Sequence, residues 1–291
     1  MGEVVKVEMF AKNKKVNEAI QQQINKKLKM YEGDFKRFEQ YCKQSSRIIS
    51  FDALEKYLYQ TIAEDKLKLS TFNRRAAGVS YYLVNQYNQF ETAEQKQRIA
   101  QLRSIYNDKE HSEQKLMKGQ SAKNKDEVMY EINKLDTRAK AISLVNLITA
   151  CRPSEMIAIQ IKHIELDNHS VSVYMQKQSQ WKTKRLTLEC VNTLRKYIKG
   201  YQLTDESYLV CRTDKHGNVS KDKSISDTAY RKSIHKWLGF APYSLRKTQI
   251  SSMHEAGADL PTIAKQSGHR SLETITKHYL EVNDTTVDKY L

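Results

Sequence analysis

The sequence predicts a mainly α-helical chain of two domains, the second of which carries a small antiparallel β-sheet. Three observations lead there. Only three prolines and nine glycines interrupt 291 residues. Apolar residues mostly recur three and four positions apart, the period of a helix with one buried face. One stretch breaks that period: Ser170-Val-Ser-Val-Tyr-Met alternates every second residue, as a half-buried strand does.

Taken in order, residues 1–16 form a basic N-terminal extension, and residues 17–108 form a helical domain. Its clearest amphipathic segments are residues 24–42, 51–64 and 70–87. Ser70 is a candidate N-cap, followed by the basic pair Arg74 and Arg75 on the first turns. Residues 109–125 are polar, charged and poor in anything that could be buried, which marks a linker. Residues 126–281 make the second domain. Residues 139–150 are strongly apolar and read as a buried helix. A strand at residues 162–166, a turn at Asp167 and Asn168, the strand from Ser170 and a third strand at Arg185-Leu-Thr-Leu compose the sheet. The polar segment 176–184 connects the last two. From Glu189 onward the helical period returns, broken by a basic turn around Lys215-His-Gly-Asn, and residues 282–291 form a short tail.

Forty-nine Lys and Arg against 34 Asp and Glu give a formal charge of +15. A surplus of this size favours a polyanionic partner through counterion release and long-range steering. No stretch approaches the roughly 20 apolar residues of a membrane span, and the N-terminus lacks the apolar core of a signal peptide. The four cysteines, Cys42, Cys151, Cys190 and Cys211, are widely spaced with no CxxC pair. That argues against a disulfide framework or a zinc site and for reduced thiols in a cytoplasmic compartment. No cofactor motif is found.

Three separated clusters carry candidate chemistry. Thr149-Ala-Cys-Arg-Pro-Ser-Glu-Met closes the apolar helix; Pro153 and Ser154 suit the start of a new one, and Glu155 is placed to orient the Arg152 guanidinium. Tyr243-Ser-Leu-Arg-Lys-Thr follows Pro242. Gly268-His-Arg-Ser precedes Thr274-Ile-Thr-Lys-His-Tyr. Together these resemble the tyrosine recombinase/integrase family, of the Xer-like or phage and transposon integrase type. The elements that carry the resemblance are Arg152-Pro-Ser-Glu155 after an apolar helix, Arg246, Gly257-Ala-Asp-Leu260, Gly268-His269 and Tyr279. They span the whole second domain; the first resembles the family's helical core-binding domain more weakly, through residues 70–82.

The resemblance implies a two-domain DNA clamp and a site-specific recombinase, serving integration, excision or resolution, that works without metal or ATP through a 3′-phosphotyrosine. Tyr279 would be the nucleophile, Arg152 and Arg246 planar cationic forks for the phosphate oxygens, and His269 a hydrogen-bond partner of the phosphate or a base for the tyrosine. A lysine on the β-hairpin would protonate the leaving 5′-oxygen; Lys177 is the first choice, Lys182 the second, and Lys184 lies nearby. Tyr243 stands where the family usually has His or Lys, either as a working substitute or as a structural residue. Tyr290 and His278 are weaker candidates, and Cys151 reads as a small buried filler. The implied partners are double-stranded DNA with specific core sites and a homotetramer on two such sites; the need for an accessory or directionality factor stays open. Rival readings are a type IB topoisomerase or telomere resolvase, and a helical DNA-binding regulator that has lost catalysis.

Overall fold

A computed structural model describes residues 14–108, 120–214 and 218–279. The chain divides into two compact units, residues 1–118 and 119–291. Most of the expected linker, the residues at the basic turn from Lys215 to Gly217, the tail and Tyr290 lie outside the described residues, as does the side chain of His278.

The first unit is helical. Helices α1 (Lys14–Gln44), α2 (Phe51–Ala63), α3 (Leu69–Tyr87) and α4 (Ala93–Ser104) bury Phe35, Phe38, Leu54, Leu58, Phe72, Val79, Leu83 and Tyr106. Gly78 lets α3 approach α1: a Cβ there would stand 2.8 Å from the Tyr31 ring. Phe35 stacks on Tyr82 at 4.3 Å, and the Tyr82 hydroxyl donates to Leu28 O. Ser50 caps α2, and Thr92 with Gln95 forms a capping box on α4. Ser70 does not cap α3: the helix already begins at Leu69, with Lys68 in the cap position and no side-chain bond.

The second unit opens with α5 (Lys125–Asn133), α6 (Thr137–Thr149) and the single turn α7 (Pro153–Met156). Asn124 and Asp136 cap α5 and α6 with their side chains. A three-stranded antiparallel sheet follows, ordered β1 (Ile164–Glu165), β2 (Ser170–Met175) and β3 (Gln180–Arg185). The third strand therefore starts five residues before the expected Arg185. The polar segment 176–184 is mostly strand, because Gln180, Lys182 and Lys184 pair with Met175, Val173 and Val171. Leu186 follows the strand and Thr187 caps α8 (Leu188–Gly200).

A second departure is the hairpin β4 (Cys211–Thr213) with β5 (Val219–Ser224), where a return to helix was expected. Its strands are short and mostly polar, so sequence alternation carries little signal. Four helices close the unit: α9 (Asp227–Leu238), α10 (Pro242–Glu255), α11 (Leu260–Ser267) and α12 (Leu272–Tyr279). Ile142, Val145, Met156, Val171, Val173, Leu194, Tyr230 and Leu245 belong to one core. A smaller cluster, Ala150, Ile250, Ile263, Ala264 and Ile275, packs beside it with Tyr279 against its edge. Among the described residues no helix is long and apolar enough to cross a membrane. All four cysteines are buried and unpaired.

Candidate active site

The site is built where α6 ends. Ala150 holds a left-handed backbone conformation, φ +49°, which stops the helix and turns its last carbonyls outward; a non-glycine residue there costs roughly 1 kcal/mol. Two buried cations occupy those carbonyls. Arg246, on the second turn of α10 and fully buried, donates from Nη1 to Ala150 O and, at 2.9 Å, to Ser267 O. Lys184 Nζ donates to Thr149 O at 2.9 Å and lies 3.3 Å from Cys151 Sγ and 3.4 Å from Ser267 O. The end of α6 and the end of α11 are thus tied together by positive charge. Burial pulls the Lys184 ammonium below its ordinary pKa, with Cys151 and Glu155 acting in the opposite sense.

Gly268 completes the corner. It caps α11 at φ +76°, and any Cβ there would collide with the terminal methyl of Met175 on β2. Its carbonyl accepts from Gln178 Nε2 at 2.8 Å, which fastens the β2–β3 turn to the residue next to His269.

Around this corner stand the remaining side chains. Arg246 Nη2 is 2.9 Å from His269 Nε2, and Arg246 Nε donates to Tyr279 Oη at 3.3 Å. The His269 and Tyr279 rings meet edge-on, centroids 4.9 Å apart. Ser251 Oγ donates to Tyr279 O and anchors the end of α12. Arg152 is the N-cap of α7; Glu155 accepts from its backbone N–H at 2.9 Å and from its Nη1 at 2.8 Å. Glu155 is buried, while the Arg152 side chain keeps 18% of its surface exposed, enough to meet a ligand.

Burial, then the charges of Arg246, Arg152, Lys184 and Lys182, hold His269 down to a pKa of about 3. The imidazole is neutral at physiological pH, and four cations share its surroundings. An open hollow of about 450 Å³ beside it is lined by Lys182, Thr183, Lys265 and His269. Neutral imidazole, phenol and converging cations make a place where a phosphodiester can be both held and attacked.

The model for the phage integrase family matches residues 118–286, more than half of the chain. The chain belongs to the phage integrase family. Its sequence is also similar to tyrosine recombinase XerA of Saccharolobus solfataricus, at 28% identity over 159 residues. That match covers 53% of this chain and half the length of the relative. Three solved structures share the fold. One is XerA recombinase (TM-score 0.50, 19% identity, 89% of this chain and 97% of the other). Another is Tn1549 transposon integrase with circular intermediate DNA (0.58, 13%, 88% and 90%). The third is XerH bound to difH substrate in a pre-cleavage complex (0.56, 17%, 83% and 69%).

Within this phage integrase family member, the remaining expected residues are placed unevenly. Tyr243 sits on the first turn of α10, part exposed, with Arg231 over its ring at 5.5 Å; no hydrogen bond to Arg246, His269 or Tyr279 is found. Lys177 is exposed on the β2–β3 turn. Lys182 faces inward from β3 and its charge is felt at His269. Cys151 is buried as expected of a small filler, yet its sulfur contacts Lys184.

Of the residues that build this corner, Ser267 is not marked by the sequence, and Lys184 is marked only as the third of the hairpin lysines. The burial of Lys184 had no signal in the sequence, since only the pairing of Lys182 and Lys184 with Val173 and Val171 puts them on the inward face of the hairpin. Ser267 had none beyond standing immediately before Gly268 and His269.

Proposed function

We propose that this chain is a site-specific recombinase that cuts and rejoins double-stranded DNA through a 3′-phosphotyrosine on Tyr279. The observation that carries the reading is the convergence of Arg246, His269 and Tyr279, with Nε of the arginine 3.3 Å from the phenolic oxygen. Family membership and the resemblance to integrase and recombinase complexes with DNA support it. So does the formal charge of +15.

In the reaction, Arg152 and Arg246 bind the non-bridging oxygens of the scissile phosphate, where charge accumulates as the pentacovalent state forms. Tyr279 Oη attacks phosphorus; the new O–P bond replaces the bond to the 5′-oxygen. That oxygen leaves with the electron pair and takes a proton from a hairpin lysine. We assign this donor to Lys182, which faces His269, over Lys177 on the exposed turn. One phosphodiester is exchanged for another, so a different 5′-hydroxyl restores DNA by the reverse path without ATP.

Both units bind the duplex, chiefly through phosphates, with groove contacts selecting core sites. The working assembly is a homotetramer on two sites, and unpaired thiols together with a DNA substrate suit a cytoplasmic location. The test is a plasmid carrying two copies of the site that the protein itself selects from a random library. Recombinant products support the proposal. Relaxed plasmid alone, or hairpin ends, would instead assign the chain to topoisomerase or telomere-resolvase chemistry.

A further inference from the structure

We propose that Ser267 is a positioning residue: it holds His269 as the Nδ1–H tautomer, which leaves the Nε2 lone pair as the one to receive the phenolic proton of Tyr279. The proton-transfer half of this inference rests on Tyr279 being the nucleophile; the tautomer does not.

Ser267 is the last residue of α11 and is almost fully buried. Its Oγ lies 2.7 Å from Ile263 O, one helical turn back, and 2.7 Å from His269 Nδ1. The Ile263 carbonyl can only accept, so it takes the serine proton. Ser267 Oγ then has only lone pairs to offer the ring, and Nδ1 must be the donor. Arg246 Nη2, 2.9 Å from Nε2 and 3.3 Å from Nδ1, lies over the face of the ring and leaves the in-plane position at Nε2 to another partner.

The groups facing the ring are Arg246, Arg152, Lys184 and Lys182, the Tyr279 ring and Ser267. Burial first, and then the four cations, keep the ring neutral without DNA; a bound phosphate offsets the cations and raises its basicity when the proton must move. At that point the Arg246 Nη2 hydrogen bonds to a phosphate oxygen. The Tyr279 O–H bond breaks, its proton passes to Nε2, and the oxygen's electron pair forms the bond to phosphorus. The bond to the 5′-oxygen breaks, and that oxygen takes the lysine proton. The imidazolium keeps its Nδ1–H on Ser267. An orienting partner of this kind acts as the carboxylate does beside a catalytic histidine, by fixing tautomer and ring angle.

The first test uses the whole chain labelled with ¹⁵N-histidine and long-range ¹H–¹⁵N ring correlations, with His269 assigned by its loss in His269→Asn. The wild type should show the Nδ1–H pattern, Ser267→Ala a shift toward Nε2–H, and Ser267→Thr the wild-type pattern. An Nε2–H pattern in the wild type overturns the proposal, whether or not the alanine variant folds. An unchanged pattern in a folded Ser267→Ala protein also overturns it.

The second test follows covalent adduct formation on a nicked duplex carrying the self-selected site. Ser267→Ala should slow it roughly tenfold or more, as misplacing a general base does, with unchanged DNA affinity, a displaced pH–rate profile and recovery in Ser267→Thr. A rate within about twofold of wild type sinks the catalytic role. No adduct in the wild type would fell the recombinase reading and the proton transfer together, while the tautomer is judged by the spectrum.

Discussion

Arg246 reaches Tyr279 across 33 residues of chain, its Nε donating to the phenolic oxygen at 3.3 Å, and the same guanidinium holds Ser267 O and His269. One planar cation therefore fixes the corner between α6 and α11 and touches the Tyr279 hydroxyl as well. Removing it does two different things, and they can be measured apart.

Arg246→Lys keeps the charge but gives up the fork, because a compact ammonium cannot span Ala150 O, Ser267 O, His269 and Tyr279 at once. Adduct formation should fall by roughly a hundredfold or more, with DNA affinity changed far less. Arg246→Met should in addition destabilise the fold by about 1–3 kcal/mol for each buried carbonyl left unpaired. Denaturant unfolding, read beside a nicked-substrate assay, separates the two losses.

The depressed pKa of His269 has a consequence for stability with a definite sign. Its folded pKa is about 3 against an ordinary 6.5. As pH falls below 6.5 the unfolded chain takes up a proton that the folded chain refuses until about pH 3. Stability contributed by this group is complete above 6.5 and is lost through that window. Between pH 7 and pH 4.5 the loss should be on the order of 2 kcal/mol. Other groups titrate in the same range, so the measurement is the difference between wild type and His269→Asn in urea unfolding at both pH values. The variant should show the smaller loss; equal losses would contradict a neutral, depressed histidine.

Gly268→Ala should cost about 1–3 kcal/mol, since it forces a side chain into a left-handed conformation and against Met175. Pairing it with Met175→Ala removes the collision but leaves the backbone strain. The double variant should thus be more stable than the sum of the single losses implies. Thermal unfolding of the four proteins closes this cycle; strict additivity would mean the two residues do not meet.

The two hairpin lysines can be told apart by the leaving group. A 5′-bridging sulfur departs as a thiolate and needs no proton, unlike an alkoxide. Lys182→Ala should be severely slowed on the ordinary nicked duplex and largely restored on the 5′-phosphorothiolate version. Lys177→Ala should show a smaller defect and little rescue. Rescue confined to Lys177→Ala would move the acid to the turn.

Much of this was legible in the residue order, for reasons particular elements make plain. Long amphipathic segments such as 51–63 and 69–87 announce themselves by period, and helix α6 by its apolar run. Arg152, Arg246, His269 and Tyr279 stood out through spacing and family pattern, because such groups keep their order in the chain even when distant. What could not be read was the contact geometry between segments. Lys184 looks like one more cation on a polar strand, and only the register opposite Val171 shows it turned inward. Ser267 is an ordinary helix-end residue until Ile263 O takes its proton and His269 its lone pair. Ser70 failed as a cap because α3 starts one residue earlier. Hairpin β4–β5 escaped notice because its strands are short and polar.

The most direct test of the central claim is to trap the protein on a nicked duplex of its own selected sequence, digest the complex and find the DNA-linked peptide by mass spectrometry. The account predicts one phosphorylated residue, Tyr279, on the peptide ending α12, and no adduct in Tyr279→Phe despite undiminished binding. A covalent link at another residue, or an adduct that survives Tyr279→Phe, would contradict it.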